Sequence, residues 1–322
     1  EGIEFRRIDV GEVTLNVALK GSGPLVILVH GFPESWYSWR HQIQALSAAG
    51  YTVAAPDVRG YGRSDAPHEV EAYDMASLTG DMAGLAAALS PDAPAVIIGH
   101  DWGAPIAWHS ALLHKDSFRA VAGMSVPYTP PGDVMPLDIF KAIFTDQGHF
   151  FYISYFQEEG VAEAELEADP AKLIRRFYYA LSGDVPDDGW PTDKPVDANL
   201  LDGLLEPDLP LSWLSSEDVV YYASEFERSG LRGPLNRYRN FARDYAMLKA
   251  LDDPKIYQPS LFIGGDKDMV LRMYPDLDVV TPMKPHMADL RGVHILKGCG
   301  HWTQQERSDE VNSLLIDWLS GL

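Results

Sequence analysis

Cysteine is nearly absent: Cys299 is the only one in 322 residues, so no intrachain disulfide can form. A reducing, cytoplasmic setting is expected on that ground. Long apolar runs are missing too. No window approaches the roughly 18 uninterrupted apolar residues of a membrane-spanning helix. The opening stretch EGIEFRRIDVGEV is charged where a signal peptide would be apolar, although a start at Glu1 rather than Met leaves room for a removed segment. Basic residues are scarce, with 26 Lys+Arg against 47 Asp+Glu and a formal charge of −21. Such a surface repels phosphate backbones, so neither nucleic acid nor an anionic membrane is expected as a partner. Neither Gly-x-x-x-x-Gly-Lys-Ser/Thr nor Gly-x-Gly-x-x-Gly occurs, so no nucleotide-binding loop is indicated. His30, His41, His100, His109 and His114 lack paired ligand spacing, and no catalytic metal is expected.

The remaining composition is that of a globular protein, 46% hydrophobic, and the length alone suggests about two domains. The first third alternates strand-like and helix-like segments. Leu25–Val29, Thr52–Ala55 and Ala95–Ile98 are short β-branched or apolar runs that read as buried strands. Ser35–Ala49, Ala76–Leu89 and Ala104–Leu113 have helical composition between and after them. This alternation predicts right-handed βαβ units and a mostly parallel sheet covered on both faces. Phe5–Leu19 reads as an antiparallel hairpin ahead of it. From about 127 to 245 no buried strand is evident; the stretch is rich in Tyr, Phe, Glu and Asp, with Pro clusters, and reads as helices and loops. The sheet pattern resumes at Ser260–Gly264 and Val293–Leu296, and Glu306–Leu319 is a final amphipathic helix. The expected organisation is one α/β core, residues 1–126 and 246–322, interrupted by a helical lid over 127–245.

Gly99-His100-Asp101-Trp102-Gly103 joins a strand to a helix. Small–x–nucleophile–x–small in that setting is a nucleophile elbow, a strained turn that lifts its central residue above the sheet. Here the central residue is Asp101 rather than Ser; taken alone, the same pentapeptide also describes a turn with an N-cap Asp. Asp266-Lys267-Asp268 and Gly300-His301-Trp302 each follow a later strand. Nucleophile, acid and histidine thus appear in the order of the α/β-hydrolase fold, each past a strand end. Either Asp266 or Asp268 satisfies the spacing. In that fold the loop His30-Gly31-Phe32-Pro33 and the residue after the nucleophile supply the oxyanion hole, making the backbone N–H groups of Phe32 and Trp102 its donors.

The chain resembles the epoxide hydrolases of the α/β-hydrolase superfamily, the soluble type in particular, along essentially its whole length. The matching pieces are His30-Gly31-Phe32-Pro33-Glu34, Arg59-Gly60-Tyr61-Gly62-x-Ser64, Gly99–Gly103, Tyr152–Gly160, Gly233-Pro234-Leu235-Asn236 to Asn240, and Gly300-His301-Trp302. The resemblance implies that Asp268 is the acid and that two lid tyrosines, Tyr152 and Tyr238, assist opening of the ring. Tyr152, Tyr238, Trp102, Phe32 and Trp302 are the expected substrate contacts. It further implies a small epoxide and water as reactants and no cofactor, with a homodimer left open. Glu159 stands where proline is common in these enzymes and Arg237 where Trp is common. Both flank a tyrosine without replacing it.

An Asp nucleophile itself narrows the chemistry. A serine attacking sp³ carbon would leave an ether, which water does not readily cleave. A carboxylate leaves an ester, which water can hydrolyse. Epoxide opening and carbon–halogen cleavage both fit. A haloalkane dehalogenase would share Asp101, His301 and the adjacent Trp102, but that family lacks the tyrosine pair and carries Asn at the place of Phe32. A non-catalytic binding protein on the same scaffold would have no reason to keep Asp101, Asp268 and His301. Phe150, Phe151, Phe156, Trp190 and Trp213 are candidates for an apolar pocket. Cys299, two residues before His301, reads as a bystander.

Overall fold

The computed structural model describes residues 2–187, 189–273 and 278–322. Eight strands form one sheet: β1 Glu4–Asp9, β2 Thr14–Lys20, β3 Leu25–Val29, β4 Thr52–Pro56, β5 Ala95–His100, β6 Phe118–Met124, β7 Ile256–Gly265 and β8 Met287–Leu296. Their order is β1-β2-β4-β3-β5-β6-β7-β8. The β1–β2 and β2–β4 pairs are antiparallel and every other pair is parallel. The expected hairpin is therefore β1–β2, at the antiparallel edge.

Side-chain alternation explains the layers. In β3, Val26 and Leu28 point to one face and Ile27 and Val29 to the other; β5 divides Val96 and Ile98 from Ile97 in the same way. The first set packs with Ile43 and Leu46 of α1 (Arg40–Ala48), together with Val311, Leu315 and Leu319 of a C-terminal helix at Ser308–Ser320. The second set packs with Leu78, Met82 and Leu85 of α2 (Met75–Leu89), and with Trp108 and Ala111 of α3 (Gly103–Leu113). Helix α2 starts where Asp74 accepts a hydrogen bond from the Ser77 N–H, an N-cap that satisfies an otherwise orphaned donor.

Strand β6 is an addition to the sequence reading. Its segment Phe118-Arg119-Ala120-Val121-Ala122-Gly123-Met124 is built largely of small residues, and the reason is local. A Cβ on Gly123 would lie 2.2 Å from the Trp108 ring, so the strand must be thin for α3 to pack on it.

Between β6 and β7 the chain leaves the sheet. It forms α4 Pro136–Ile143, α5 Tyr152–Tyr155, α6 Val161–Leu166, α7 Pro170–Ala180, α8 Ser216–Ser229, α9 Arg232–Tyr238 and α10 Phe241–Lys249. Among the described residues here, the only strand-like pairing is an isolated bridge, His149 to Pro195. The expected boundary at 245 falls inside α10, so the helical excursion runs further than the sequence pattern suggested. After β7 come α11 Met269–Arg272, then, past β8, α12 Thr303–Glu306 and α13 Ser308–Ser320. Among the described residues no helix is long and apolar enough to cross a membrane.

Candidate active site

Asp101 occupies the sharp turn between β5 and α3 with φ of 53°, a left-handed conformation unfavourable for a residue with a side chain. Two glycines make the turn possible. A Cβ on Gly99 would stand 1.8 Å from the Gly103 carbonyl oxygen, and one on Gly103 would stand 2.0 Å from that of Val29. The carboxylate thereby projects above the carboxyl ends of the strands, next to the N-terminus of α3, where negative charge is favoured.

Its two oxygens have different partners. Oδ1 accepts a hydrogen bond from the Phe32 N–H at 2.8 Å, and Oδ2 lies 3.1 Å from His301 Nε2. The Trp102 amide joins the same spot: a Cβ on Gly31 would fall 2.3 Å from Asp101 Oδ1 and 2.7 Å from the Trp102 nitrogen. The loop after β3 thus holds one carboxylate oxygen through the Phe32 N–H, with the Trp102 nitrogen close to the same loop.

On its far side, His301 Nδ1 contacts Asp268 Oδ1 at 3.0 Å and Oδ2 at 3.1 Å. Of the two acids the spacing allowed, Asp268 reaches the imidazole; Asp266 instead accepts from the Gly298 N–H. Asp268 and His301 are both buried. Burial opposes charge on His301, but Asp268 and the hydrogen bonds to Asp268 and Asp101 overcome it and raise its pKa well above 6.5. Burial likewise opposes charge on Asp101, yet His301, His100 and the Phe32 N–H bring its pKa below 3.8. Both shifts favour the charged forms, Asp101 carboxylate facing His301 imidazolium across the 3.1 Å contact.

A polar group beneath this pair was not singled out in the sequence. His100 Nε2 donates to the His301 carbonyl at 2.6 Å, while its Nδ1 lies 2.7 Å from Glu34 Oε1. Glu34 also accepts from the Gly31 N–H and from Gln304 Nε2. Burial pushes Glu34 up, and the His100 contacts more than reverse it. One carboxylate thus braces both the Phe32 loop and, through His100, the backbone of His301. The motif His-Gly-Phe-Pro-Glu contained the signal, since a charged residue closing an apolar loop needs a buried partner.

A cavity of about 190 Å³ opens above Asp101 and His301. Phe32, Tyr152, Tyr238, Phe177 and Leu181 line it, together with Phe144, Phe150, Phe151, Trp190, Met269 and Met273. Arg272 and Thr192 add polar groups to the lining. Tyr152 begins α5 and Tyr238 ends α9, and their rings stand 6.1 Å apart and nearly perpendicular. The neighbouring tyrosines go elsewhere: the Tyr155 hydroxyl donates to Glu165 and that of Tyr245 to the Gly132 carbonyl. Burial, with the Asp101 charge behind it, pushes the Tyr238 phenol well above 10, so it stays protonated.

Two expected substrate contacts lie off the cavity wall. Trp302 is fully buried, stacked 4.1 Å from Tyr178 with its indole N–H donating to the Tyr178 carbonyl. It follows His301 in sequence and packs edge-on against the imidazole, centroids 4.8 Å apart, on the side away from the cavity lining. The Trp102 ring packs edge-on against Tyr238 and Phe241, with the Arg237 guanidinium 4.7 Å over its face. Among the pocket candidates, Phe150, Phe151 and Trp190 line the cavity, whereas Phe156 is core and Trp213 stacks on Tyr178. Among the described residues no group of three or more His, Cys, Asp or Glu could hold a metal.

Residues 24–308 match the α/β hydrolase fold family, and the chain belongs to it. Epoxide hydrolase A of Mycobacterium tuberculosis is 43% identical over 326 residues, covering 98% of this chain and 97% of its own. A solved structure of an epoxide hydrolase from an endophytic Streptomyces superposes with a TM-score of 0.94 at 47% identity, over 100% of this chain and 96% of that one. Bifunctional epoxide hydrolase 2 of Sus scrofa is 41% identical over 95% of this chain, which spans about half (53%) of that longer protein.

Proposed function

We propose that the chain hydrolyses epoxides to vicinal diols in two steps through an ester on Asp101. The observation that carries this reading is the meeting of an ionised Asp101, the His301–Asp268 pair and the phenols of Tyr152 and Tyr238 in one apolar cavity. The 43% identical relative is itself an epoxide hydrolase. The helical excursion between β6 and β7, which supplies both tyrosines, acts as the lid.

In the first step Asp101 Oδ2 attacks a ring carbon, exchanging its contact with His301 Nε2 for the new bond while Oδ1 stays on the Phe32 N–H. The carbon–oxygen bond of the ring breaks. The departing oxygen takes a proton from, or is hydrogen-bonded by, the phenols of Tyr152 and Tyr238. The water-poor aromatic walls strengthen these interactions.

Forming the ester removes the negative charge of Asp101. That charge is one of the causes that keep His301 protonated, so alkylation loosens its proton, which passes through solvent to make good the one the phenols gave up, leaving a neutral base for the second step. Neutral His301 then takes a proton from water as the water oxygen bonds to Asp101 Cγ. The tetrahedral oxyanion forms on Oδ1, facing the N–H groups of Phe32 and Trp102; on collapse the Cγ–Oδ2 bond breaks, the departing diol oxygen takes the proton from His301, and the new Asp101 carboxyl passes its own proton to the imidazole. Asp268 holds the imidazole orientation throughout.

The test is isotopic. In ¹⁸O water a single turnover should place label in Asp101 first, and only later turnovers should carry it fully into diol. Label passing straight to product with Asp101 unlabelled would rule out the ester. His301→Gln should trap a covalent adduct visible by mass spectrometry, and Asp101→Ala should never form one.

A further inference from the structure

The peptide of Gly183 lies just past α7, against both catalytic loops. Its N–H donates to Glu306 Oε2 at 2.9 Å, and its carbonyl accepts from Lys267 Nζ at 3.1 Å. Glu306 does more than hold Gly183. Oε2 also accepts from the Gly300 N–H at 2.9 Å, and Oε1 from the Trp302 N–H at 3.0 Å. One carboxylate therefore grips the amides on either side of His301. The His301 N–H itself donates to the Leu181 carbonyl at 2.8 Å. Lys267 adjoins Asp268 in sequence, and its N–H donates to the Cys299 carbonyl.

The fit leaves no slack. A Cβ on Gly183 would sit 2.2 Å from the Gly298 carbonyl oxygen, and one on Gly300 would sit 2.4 Å from the Gly183 nitrogen. The segment so clipped belongs to the cavity wall, since Phe177 and Leu181 face the cavity.

We propose that Glu306 is a positioning residue for His301: it clips the 181–183 segment, which follows the cavity-walling helix α7, to the loop that carries the base. Three backbone N–H groups satisfy its two oxygens, so the carboxylate is fixed and the loop with it. Substrate pressing on Phe177 and Leu181 is thereby registered at the imidazole. The water step, which depends on the height of Nε2 above the ester carbonyl, is the one Glu306 governs; ring opening needs only the Asp101 carboxylate and the tyrosines. This proposal rests on the two-step reading above.

Glu306→Gln tests it with almost no change of shape. Whichever oxygen becomes NH₂ then faces N–H donors and loses its bonds. Rapid-quench mass spectrometry with styrene oxide should show ester formation within about twofold of wild type and ester decay slowed by about 10-fold, the scale of a sub-ångström misplacement. In steady state kcat and KM should fall together with kcat/KM unchanged. Equal slowing of both steps, or wild-type decay in a folded Glu306→Gln protein, would overturn the proposal. Lys267→Met, which cuts only the carbonyl side of the clip, should give the same split at smaller size. It carries the test if Glu306→Gln does not fold, and an unaltered ratio of the two steps there overturns the clip. Absence of any ester in the wild-type enzyme would instead sink the two-step reading itself.

Discussion

His301 Nε2 and Asp101 Oδ2 stand 3.1 Å apart, and across that contact each residue favours the charged form of the other, with Asp268 the larger support for the imidazolium. Ring opening requires Asp101 ionised. Ester hydrolysis requires His301 neutral, at a moment when the Asp101 charge has gone. In single turnovers between about pH 5 and 9, the decay constant of the ester should rise with pH, with a midpoint below that at which His301 titrates in the free enzyme. NMR of the free-enzyme imidazole supplies the comparison, and identical midpoints would contradict the coupling.

The same pair makes a stability prediction with opposite signs at its two ends. Asp101 has a folded pKa below its unfolded value, so its contribution is present above about 3.9 and lost as pH falls through the folded pKa. His301 has a folded pKa above its unfolded value, so its contribution is present below about 6.5 and lost as pH rises through the folded pKa. The Tm gap between wild type and Asp101→Asn/His301→Gln should be most favourable to wild type between about pH 4 and 6.5, shrinking on either side.

In the proposed mechanism the phenols serve ring opening and not ester decay. Tyr152→Phe and Tyr238→Phe should each slow ester formation by about 10- to 100-fold and the double change by about 10²–10⁴, the range of general acid catalysis. Ester decay, followed after mixing with a fast substrate, should change little. A tyrosine change that slowed decay alone would remove that residue from ring opening.

Gly31→Ala should disable the oxyanion site while leaving the charges in place. The added methyl would need the space of Asp101 Oδ1 and of the Trp102 amide. A loss of about 10²–10³ in ester hydrolysis is expected from a displaced oxyanion donor, with overpacking costing about 1–3 kcal/mol in chemical denaturation.

Cys299 is fully buried, and burial raises its thiol pKa far above the ordinary value. Iodoacetamide at neutral pH should leave it unmodified and the enzyme active, while the denatured chain should label at one site. Rapid labelling of the native protein with loss of activity would contradict this burial.

What was legible in the sequence followed from chain locality. The elbow announces itself because its glycines, its nucleophile and its flanking strand and helix are contiguous. Asp268 and His301 are legible because each follows its strand. The cavity was only half legible, because its wall gathers from five separate segments and adjacency misleads there. Trp302 follows the base yet turns into the core, whereas Met269 and Met273, which no motif marks, face the substrate space. Tyr152 and Tyr155 could be told apart only through their family setting. In the fold the distinction is simple, since Glu165 occupies the hydroxyl of Tyr155. Strand β6 escaped notice for a packing reason: pressure from Trp108 favours small residues and erases the β-branched signature.

Strands β6 and β7 are immediate neighbours in the sheet, paired from Val121–Ser260 to Met124–Ile263. The whole helical excursion therefore departs and returns through a single doorway. No ladder hydrogen bond of the core depends on how long that detour is or how it is folded. Evolution, or an engineer, can redraw the chamber that selects the epoxide while the hinge-pins of the reaction, Asp101 on one side of the doorway and Asp268 with His301 on the other, stay where the sheet has fixed them.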